Sequence, residues 1–551
     1  MNVEERLHRL ARLASEDMTK RFDRLYKEIE KEDFLFYAYE KIKGNRGSAT
    51  PGIDGLTRFE WTEERTQSLS TQLRDGTYQP QPVRRVLIDK KNAPGKKRPL
   101  GIPTLADRVV QSAVRLILEA LYEPIFMECS HGFRPHRACQ TAIENIIDCP
   151  KVRIDWIIEG DIKGCFDNIC HQKLILILQR RIKDDRFLKL IAKFLKAGYF
   201  ERERWNPTKA GTPQGGIVSP ILANIYLHEL DAYVTSEFGA NQESAQTYAE
   251  RQERVNPEWT TVSGRIGYCR AMLAGKRNMQ GSPEAIKEEL RKLLTYKKKI
   301  PWVIKPIKPR VSYVRYADDF VIVLRNLSKE RAESIKSKLS EWVSAELGLI
   351  LSPEKTKITH ITDGFIFLGY KIMARKDDTS QPKVKLVIPF ESVNCKIKDL
   401  QNICKMIGES EHRIIVHMNN TIRGWMTYYR CATSPSRVMS YMLSQAWWTY
   451  ARYMKQKHQC SVAFAAKRWM ERAPASRLNP RGGQKTWYAD EPTESGGIKR
   501  HYLVCSAVPK LTIRAVAHKI RYGWKMQKAS KECSSERAVC SESCSHGSES
   551  R

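Results

Sequence analysis

Short apolar runs rich in β-branched and aromatic residues interrupt a chain that otherwise carries apolar positions at helical spacing. Residues 311–315 and 320–324 are two such runs, and Tyr316-Ala317-Asp318-Asp319 lies between them. Strand-forming segments on either side of a short polar break predict a hairpin with carboxylates at its tip. Residues 156–161 read as a second buried strand that ends in Asp161, and 83–88 as a third. Val110, Ala113, Ile117, Leu121 and Ile125 predict a helix from 107 to about 127. A glycine-rich stretch, 211–216, opens an apolar helix over 221–230, and three more helical segments follow near 393–407, 413–431 and 438–454. Residues 3–43 are charged and helical in pattern until a run of turn formers, 45–55, breaks them. The fold class this predicts is α+β.

Length and charge narrow the picture. A chain of 551 residues is long enough for three or more domains. Its formal net charge of +32 exceeds what solubility requires and predicts a polyanionic partner, although a merely basic protein has the same signature. The 14 cysteines contain no Cys-x-x-Cys pair, which argues against a zinc ribbon or a disulfide framework and for a reducing cytoplasm. No stretch approaches the apolar length of a membrane span, and the charged first residues do not resemble a secretory signal.

Asp161, Asp318 and Asp319 carry the candidate chemistry. Adjacent carboxylates on a turn repel one another unless a divalent cation shares them. An Asp-Asp pair alone is also compatible with an ordinary surface turn, but strands on both sides place this one at the end of buried structure. Phosphoryl transfer by two metal ions about 3.5–4 Å apart needs carboxylates gathered from separate strands. The pattern is that of a palm-domain polymerase.

Tyr316-Ala317-Asp318-Asp319 on a hairpin, preceded by Asp161-Ile162-Lys163-Gly164-Cys165-Phe166-Asp167, resembles the reverse transcriptases encoded by group II introns, over roughly residues 20–525. The resemblance implies a right-hand polymerase: a fingers and palm reverse transcriptase fold, an α-helical thumb that is the maturase domain, and a small basic C-terminal DNA-binding region. It implies two Mg²⁺ ions on Asp161, Asp318 and Asp319, with the Ile162 carbonyl completing a shell. Arg98 and, less directly, Lys97 would meet the triphosphate. Gln214, in the Pro-Gln-Gly block, would contact the nucleotide, and Phe166 would lie under the sugar and select dNTPs. Lys355 would protonate pyrophosphate. Each has a plain alternative: a solvated loop for Arg98 and Lys97, a core aromatic for Phe166, a surface lysine for Lys355.

The remaining expectations concern nucleic acid. The loop around Arg46 is similar to the family's template-gripping extension. From Arg265 to Arg310 there are 13 Lys or Arg against 3 Glu, with Ile286, Leu290, Leu293 and Leu294 on one helical stripe ending in Lys297-Lys298-Lys299. This is either a solvated face or an RNA contact. Trp425 and Tyr429, among thumb rings mixed with Arg and Lys, are candidate RNA contacts, and packed core rings are the alternative. The domain reading is 1–60 for the N-terminal extension, 61–389 for fingers and palm with a basic insertion at 238–310, 390–460 for the thumb, 461–525 for the DNA-binding region and 526–551 for a disordered tail. That Ser/Glu/Cys-rich tail lacks the His-Asn-His endonuclease found in many relatives. Expected partners are group II intron RNA, an RNA template with DNA primer, target DNA and dNTPs, with no membrane. The expected location is the cytoplasm, at the nucleoid if bacterial, or an organelle matrix. Two other kinds of protein share parts of the pattern. Diversity-generating, retron or CRISPR-linked reverse transcriptases generally lack the N-terminal loop and maturase thumb, and a splicing-only maturase has no need of all three Asp.

Overall fold

The computed structural model describes residues 2–522 apart from 90–94, 96, 148–153, 202–203, 207–210, 212–214, 242–255, 276–277, 279–280, 301–308, 376–382, 477–478 and 481. Gln214 and the tail beyond residue 522 therefore lie outside the described residues. The chain forms two compact units: one comprises residues 1–146, 154–255 and 303–358, the other 147–153, 256–302 and 359–551. No helix among the described residues is long and apolar enough to cross a membrane.

The first unit carries two sheets. Strands β1 (Val83–Asp89) and β2 (Lys97–Ile102) form an antiparallel hairpin. β3 (Trp156–Asp161) belongs elsewhere, whereas β4 (Tyr199–Glu201) and β5 (Arg204–Asn206) extend that hairpin into a sheet of order β2-β1-β4-β5. The second sheet holds β6 (Arg310–Tyr316), β7 (Asp319–Arg325), β3 and β8 (Lys357–His360) in the order β6-β7-β3-β8. β7 buries Phe320 to Leu324 without a break, the continuous apolar run expected of a strand covered on both faces. The helices Leu105–Tyr122 and Ser219–Phe238 supply much of the same core. Thr104 caps the first by accepting from the Asp107 amide at 3.2 Å, and the buried Asp107 carboxylate in turn accepts from Tyr78 and from the Gln81 amide.

The turn-forming run near residue 50 is docked. Arg108, buried on helix Leu105–Tyr122, donates to the carbonyls of Gly47 and Thr50, and Arg84 donates to that of Pro51. Gly52 approaches Pro103 so closely that a Cβ would stand 2.8 Å from its carbonyl oxygen, which is why glycine occupies this position.

In the second unit, β9 (Phe365–Phe367), β10 (Tyr370–Arg375) and β11 (Lys383–Val387) form one small sheet. Helices Phe390–Cys404, Glu411–Tyr429 and Pro435–Lys457 follow, matching the three helical segments expected from spacing. β12 (Met470–Arg472), β13 (Lys485–Pro492) and β14 (Ile498–Tyr502) make a second sheet. Asn419 fastens helix Glu411–Tyr429 to it, donating to the Tyr502 carbonyl at 2.7 Å and accepting from the Val504 amide at 2.8 Å. The basic insertion contains two helices, Pro257–Leu273 and Pro283–Lys299, of which only the second was expected.

Candidate active site

The three acidic residues converge through strand register. β3 and β7 pair antiparallel with Asp161 opposite Asp319, and directly opposed residues project from the same face. β6 and β7 pair with Tyr316 opposite Asp319, leaving Ala317-Asp318 as a two-residue turn. Ala317 has φ +58°, a left-handed conformation that costs an L-residue about 1–2 kcal/mol. Gly132 lies against this turn; a Cβ there would be 2.2 Å from the Ala317 nitrogen.

The electrostatics are those of crowded like charges. Burial lifts the Asp318 carboxyl above its ordinary range and Asp161 adds to the effect, while the Arg98 and Lys355 charges pull it back. Asp319 is pushed up to about 7 by burial, by the Asp318 and Asp161 charges and by a hydrogen bond with Asp161. The residue is partly open to solvent, which tempers both the burial and the charge contributions. Lys355 sits 2.9 Å from both Asp161 oxygens, and that contact raises its own pKa.

An all-carboxylate set on one face is the donor chemistry of a hard divalent cation. Among the described residues no three acidic, His or Cys side chains already stand at metal-holding spacing. Lys355 occupies both Asp161 oxygens and would compete with a cation there. The Ile162 position is compatible with a carbonyl ligand. The Asp161 carbonyl accepts from the Ser352 amide and the Lys163 amide donates to the Ile350 carbonyl, so by strand alternation the Ile162 carbonyl points to the opposite edge, the side of β7.

Phe166 lies in a one-turn helix, Cys165–Asn168, directly after β3 and is half-buried. Its ring meets Phe133 edge-on at 6.2 Å. Phe133 is 51% exposed with φ +58° and was not singled out from the sequence, because nothing in its local pattern separates it from a loop aromatic. Gly211 has φ +89° and no room for a Cβ beside the Phe166 and Asp167 backbone, and Gly215, at φ +111°, packs equally closely on Gly101. Gly211 thus lies beside Phe166 and Gly215 beside β2, the strand that bears Lys97 and Arg98 at its exposed beginning.

Comparison with known proteins decides the family. Residues 88–249 and 293–372 match the model for reverse transcriptase (RNA-dependent DNA polymerase), and 392–470 match the maturase-specific domain of group II introns. The group II intron-encoded protein LtrA of Lactococcus lactis subsp. cremoris is 38% identical over 460 residues, covering 78% of this chain and 74% of that protein. The protein YkfC of Escherichia coli is 34% identical over 71% of this chain and 93% of its own length. A 91 kDa protein in the cob intron of Schizosaccharomyces pombe is 35% identical over 76% of this chain and 52% of that protein. The chain belongs to the group II intron-encoded reverse transcriptases. It is an RNA-directed DNA polymerase with a maturase thumb, and its α+β fold is that of the family.

Two thumb residues of this reverse transcriptase stand differently from expectation. Trp425 and Tyr429 are only 7% and 5% exposed and pack in the core, the alternative that the sequence left open for them. Trp425 donates to Ser392 at 3.1 Å and Tyr429 donates to the Gly369 carbonyl at 3.0 Å, so both rings dock their helix on the β9–β10 turn and the helix after β11. On helix Pro435–Lys457 two rings reach solvent: Tyr441 is 45% and Trp448 47% exposed. Arg437, Tyr441, Ser444, Trp448, Arg452 and Lys455 recur at helical spacing, all exposed, on a helix without a single Asp or Glu. Of the insertion lysines, Lys298 and Lys299 are exposed, whereas Lys297 lies over the Trp259 ring at 4.0 Å. The side chain of Arg46 lies outside the described residues.

The cysteines follow the expectation of unbridged thiols: the ten among the described residues are all free. Burial, the Asp318 charge and other neighbours push the Cys165 thiol up to about 12, so it stays protonated beside the site.

Proposed function

We propose that the enzyme copies its intron RNA into DNA at a target site and assists splicing of the same RNA, with separate surfaces for the two tasks. The observation that carries the catalytic half is the register that sets Asp161 opposite Asp319 with Asp318 at the adjoining turn. Two Mg²⁺ ions held by Asp161, Asp318, Asp319 and the Ile162 carbonyl would supply activation of the primer 3′-hydroxyl and charge neutralisation on the leaving pyrophosphate. The chain's own groups bind and orient. Arg98 and Lys97, at the start of β2, would meet the triphosphate oxygens of the incoming dNTP, and Gln214 would contact the nucleotide. Phe166 would lie under the deoxyribose, where its ring collides with a 2′-hydroxyl. Lys355, once displaced from Asp161, is a cation within reach of the departing phosphate.

The RNA-facing surface we assign is the exposed Arg437, Tyr441, Trp448, Arg452 and Lys455 ridge, joined by Lys298 and Lys299 of the insertion. Cations that track phosphates and exposed rings that stack on unpaired bases are the chemistry of single-strand recognition. The docked loop that contains Arg46 would hold the template, and residues 461–525 would meet target DNA. The functional division proposed is thus N-terminal extension to residue 60, fingers and palm to 389, thumb to 460 and DNA-binding region beyond. The protein would act where its intron is transcribed, in bacterial cytoplasm or an organelle matrix.

Purified protein with an intron transcript tests the reading. The expected result is Mg²⁺-dependent extension of a DNA primer on RNA and faster splicing at low Mg²⁺. Faster splicing without any primer extension would leave only the splicing function.

A further inference from the structure

Arg315 stands immediately before the catalytic turn, on β6, with its side chain wholly buried against Asp231 of helix Ser219–Phe238. A guanidinium has five N–H donors, and this one makes five hydrogen bonds. Nε donates to Asp231 Oδ1 at 2.7 Å and Nη2 to Asp231 Oδ2 at 2.6 Å and Ser130 Oγ at 2.9 Å; Nη1 donates to Asn224 Oδ1 at 3.0 Å and to the Ala317 carbonyl at 3.0 Å. Asn224 and Asp231 are two helical turns apart on one face. The Asn224 amide also donates to the Gly132 carbonyl at 2.7 Å, and Gly132 is the residue packed on the Ala317 nitrogen. Tyr313 donates to the same Asp231 oxygen at 3.0 Å.

We propose that Arg315, Asp231 and Asn224 form a buried clamp that holds the left-handed Ala317 turn and so sets the direction of the Asp318 carboxylate before metal binds. The inference rests on the reading of Asp318 as a metal ligand. A buried ion pair adds little net stability over well-packed apolar residues, whereas its forked geometry fixes direction. The peptide plane that begins with the Ala317 carbonyl ends at the Asp318 nitrogen, so fixing that carbonyl orients the backbone from which the Asp318 side chain departs. Held from the carbonyl side by Arg315 and from the nitrogen side by Gly132, Ala317 keeps a conformation that it would otherwise leave. None of the clamp residues touches the reacting atoms, so their role is positioning.

The test uses the full-length protein and three readouts: thermal melting, the Mg²⁺ midpoint of single-nucleotide extension, and a Tb³⁺ luminescence titration. Asn224→Ala, which leaves the Arg315–Asp231 pair intact, should raise both metal midpoints about ten- to a hundredfold, the usual effect of removing a group that orients a ligand. Adding Ala317→Gly, which removes the steric penalty of the left-handed turn, should bring the midpoints at least halfway back on a logarithmic scale. Arg315→Lys should behave as Asn224→Ala does, and if it fails to fold, the Asn224→Ala and double-variant pair still decides. A lowered melting temperature with both midpoints at the wild-type value would overturn the clamp, as would a double variant no better than Asn224→Ala. Loss of the Tb³⁺ response in Asp318→Ala alongside unmoved midpoints in Asn224→Ala sinks the clamp alone. An unchanged response in Asp318→Ala sinks the metal reading and the clamp with it.

Discussion

The palm hairpin and the thumb helices are both dense in chemically suggestive residues, yet residue identity predicts place in one and not in the other. In the palm, antiparallel register leaves little freedom: once β3, β6 and β7 form, Asp161 and Asp319 face one another and Asp318 falls on the adjoining turn. In the thumb, eight Trp and Tyr residues lie within two long helices, and a ring on a helix faces core or solvent according to its angle about the axis. Trp447 and Trp448 show the point, because Trp447 turns to the buried Trp487 at 5.4 Å while its neighbour is 47% exposed. A carboxylate at a strand end carries positional information that an aromatic on a helix does not.

The sharpest way to break this contrast is to truncate the rings. Trp425→Ala should destabilise the fold by about 3–5 kcal/mol, read in denaturant unfolding, because it opens a cavity in the packed core. Trp448→Ala should leave unfolding unchanged and instead weaken binding to single-stranded intron segments by about 1–3 kcal/mol. If both variants lose RNA binding with no change in stability, Trp425 is a contact after all. On the palm side, Phe166→Val should admit ribonucleotides, with dNTP over rNTP discrimination in single-nucleotide incorporation falling roughly 100-fold. Unchanged discrimination removes Phe166 from the nucleotide site.

A smaller effect sharpens the electrostatic half. Asp319 holds its proton to about pH 7 in the metal-free folded chain, against about 4 when unfolded. A raised carboxyl pKa means the folded state binds the proton more tightly, so its stabilising contribution is present below about pH 4 and is lost as pH rises to about 7. Metal-free melting temperatures should therefore fall across that window, and Asp319→Asn should flatten the decline. Equal slopes for the two proteins would show that solvent at the mouth of the site screens the repulsion.

What was legible beforehand follows the same physics. The hairpin strands, β3, the helix after 211–216 and the thumb helices were readable because their apolar periods are strong and their breaks are marked by Gly, Pro or Asp. Helix Pro257–Leu273 was missed because its apolar positions do not collect on one face. The Arg315–Asp231 clamp was invisible for a different reason: a buried charge network pairs residues from distant elements, and nothing local distinguishes Arg315 from a strand-edge arginine. Phe133 was passed over because its edge contact with Phe166 joins segments that no spacing rule connects.

The central claim is that catalysis and RNA recognition occupy separate surfaces, and Asp318→Ala tests it in one preparation. Single-nucleotide extension of a DNA primer on RNA should fall about 10³-fold or more, the loss of a metal's transition-state stabilisation. Affinity for intron RNA, measured on the same protein at fixed salt, should match wild type. Extension near the wild-type rate, or RNA affinity that falls in step with extension, would contradict the account.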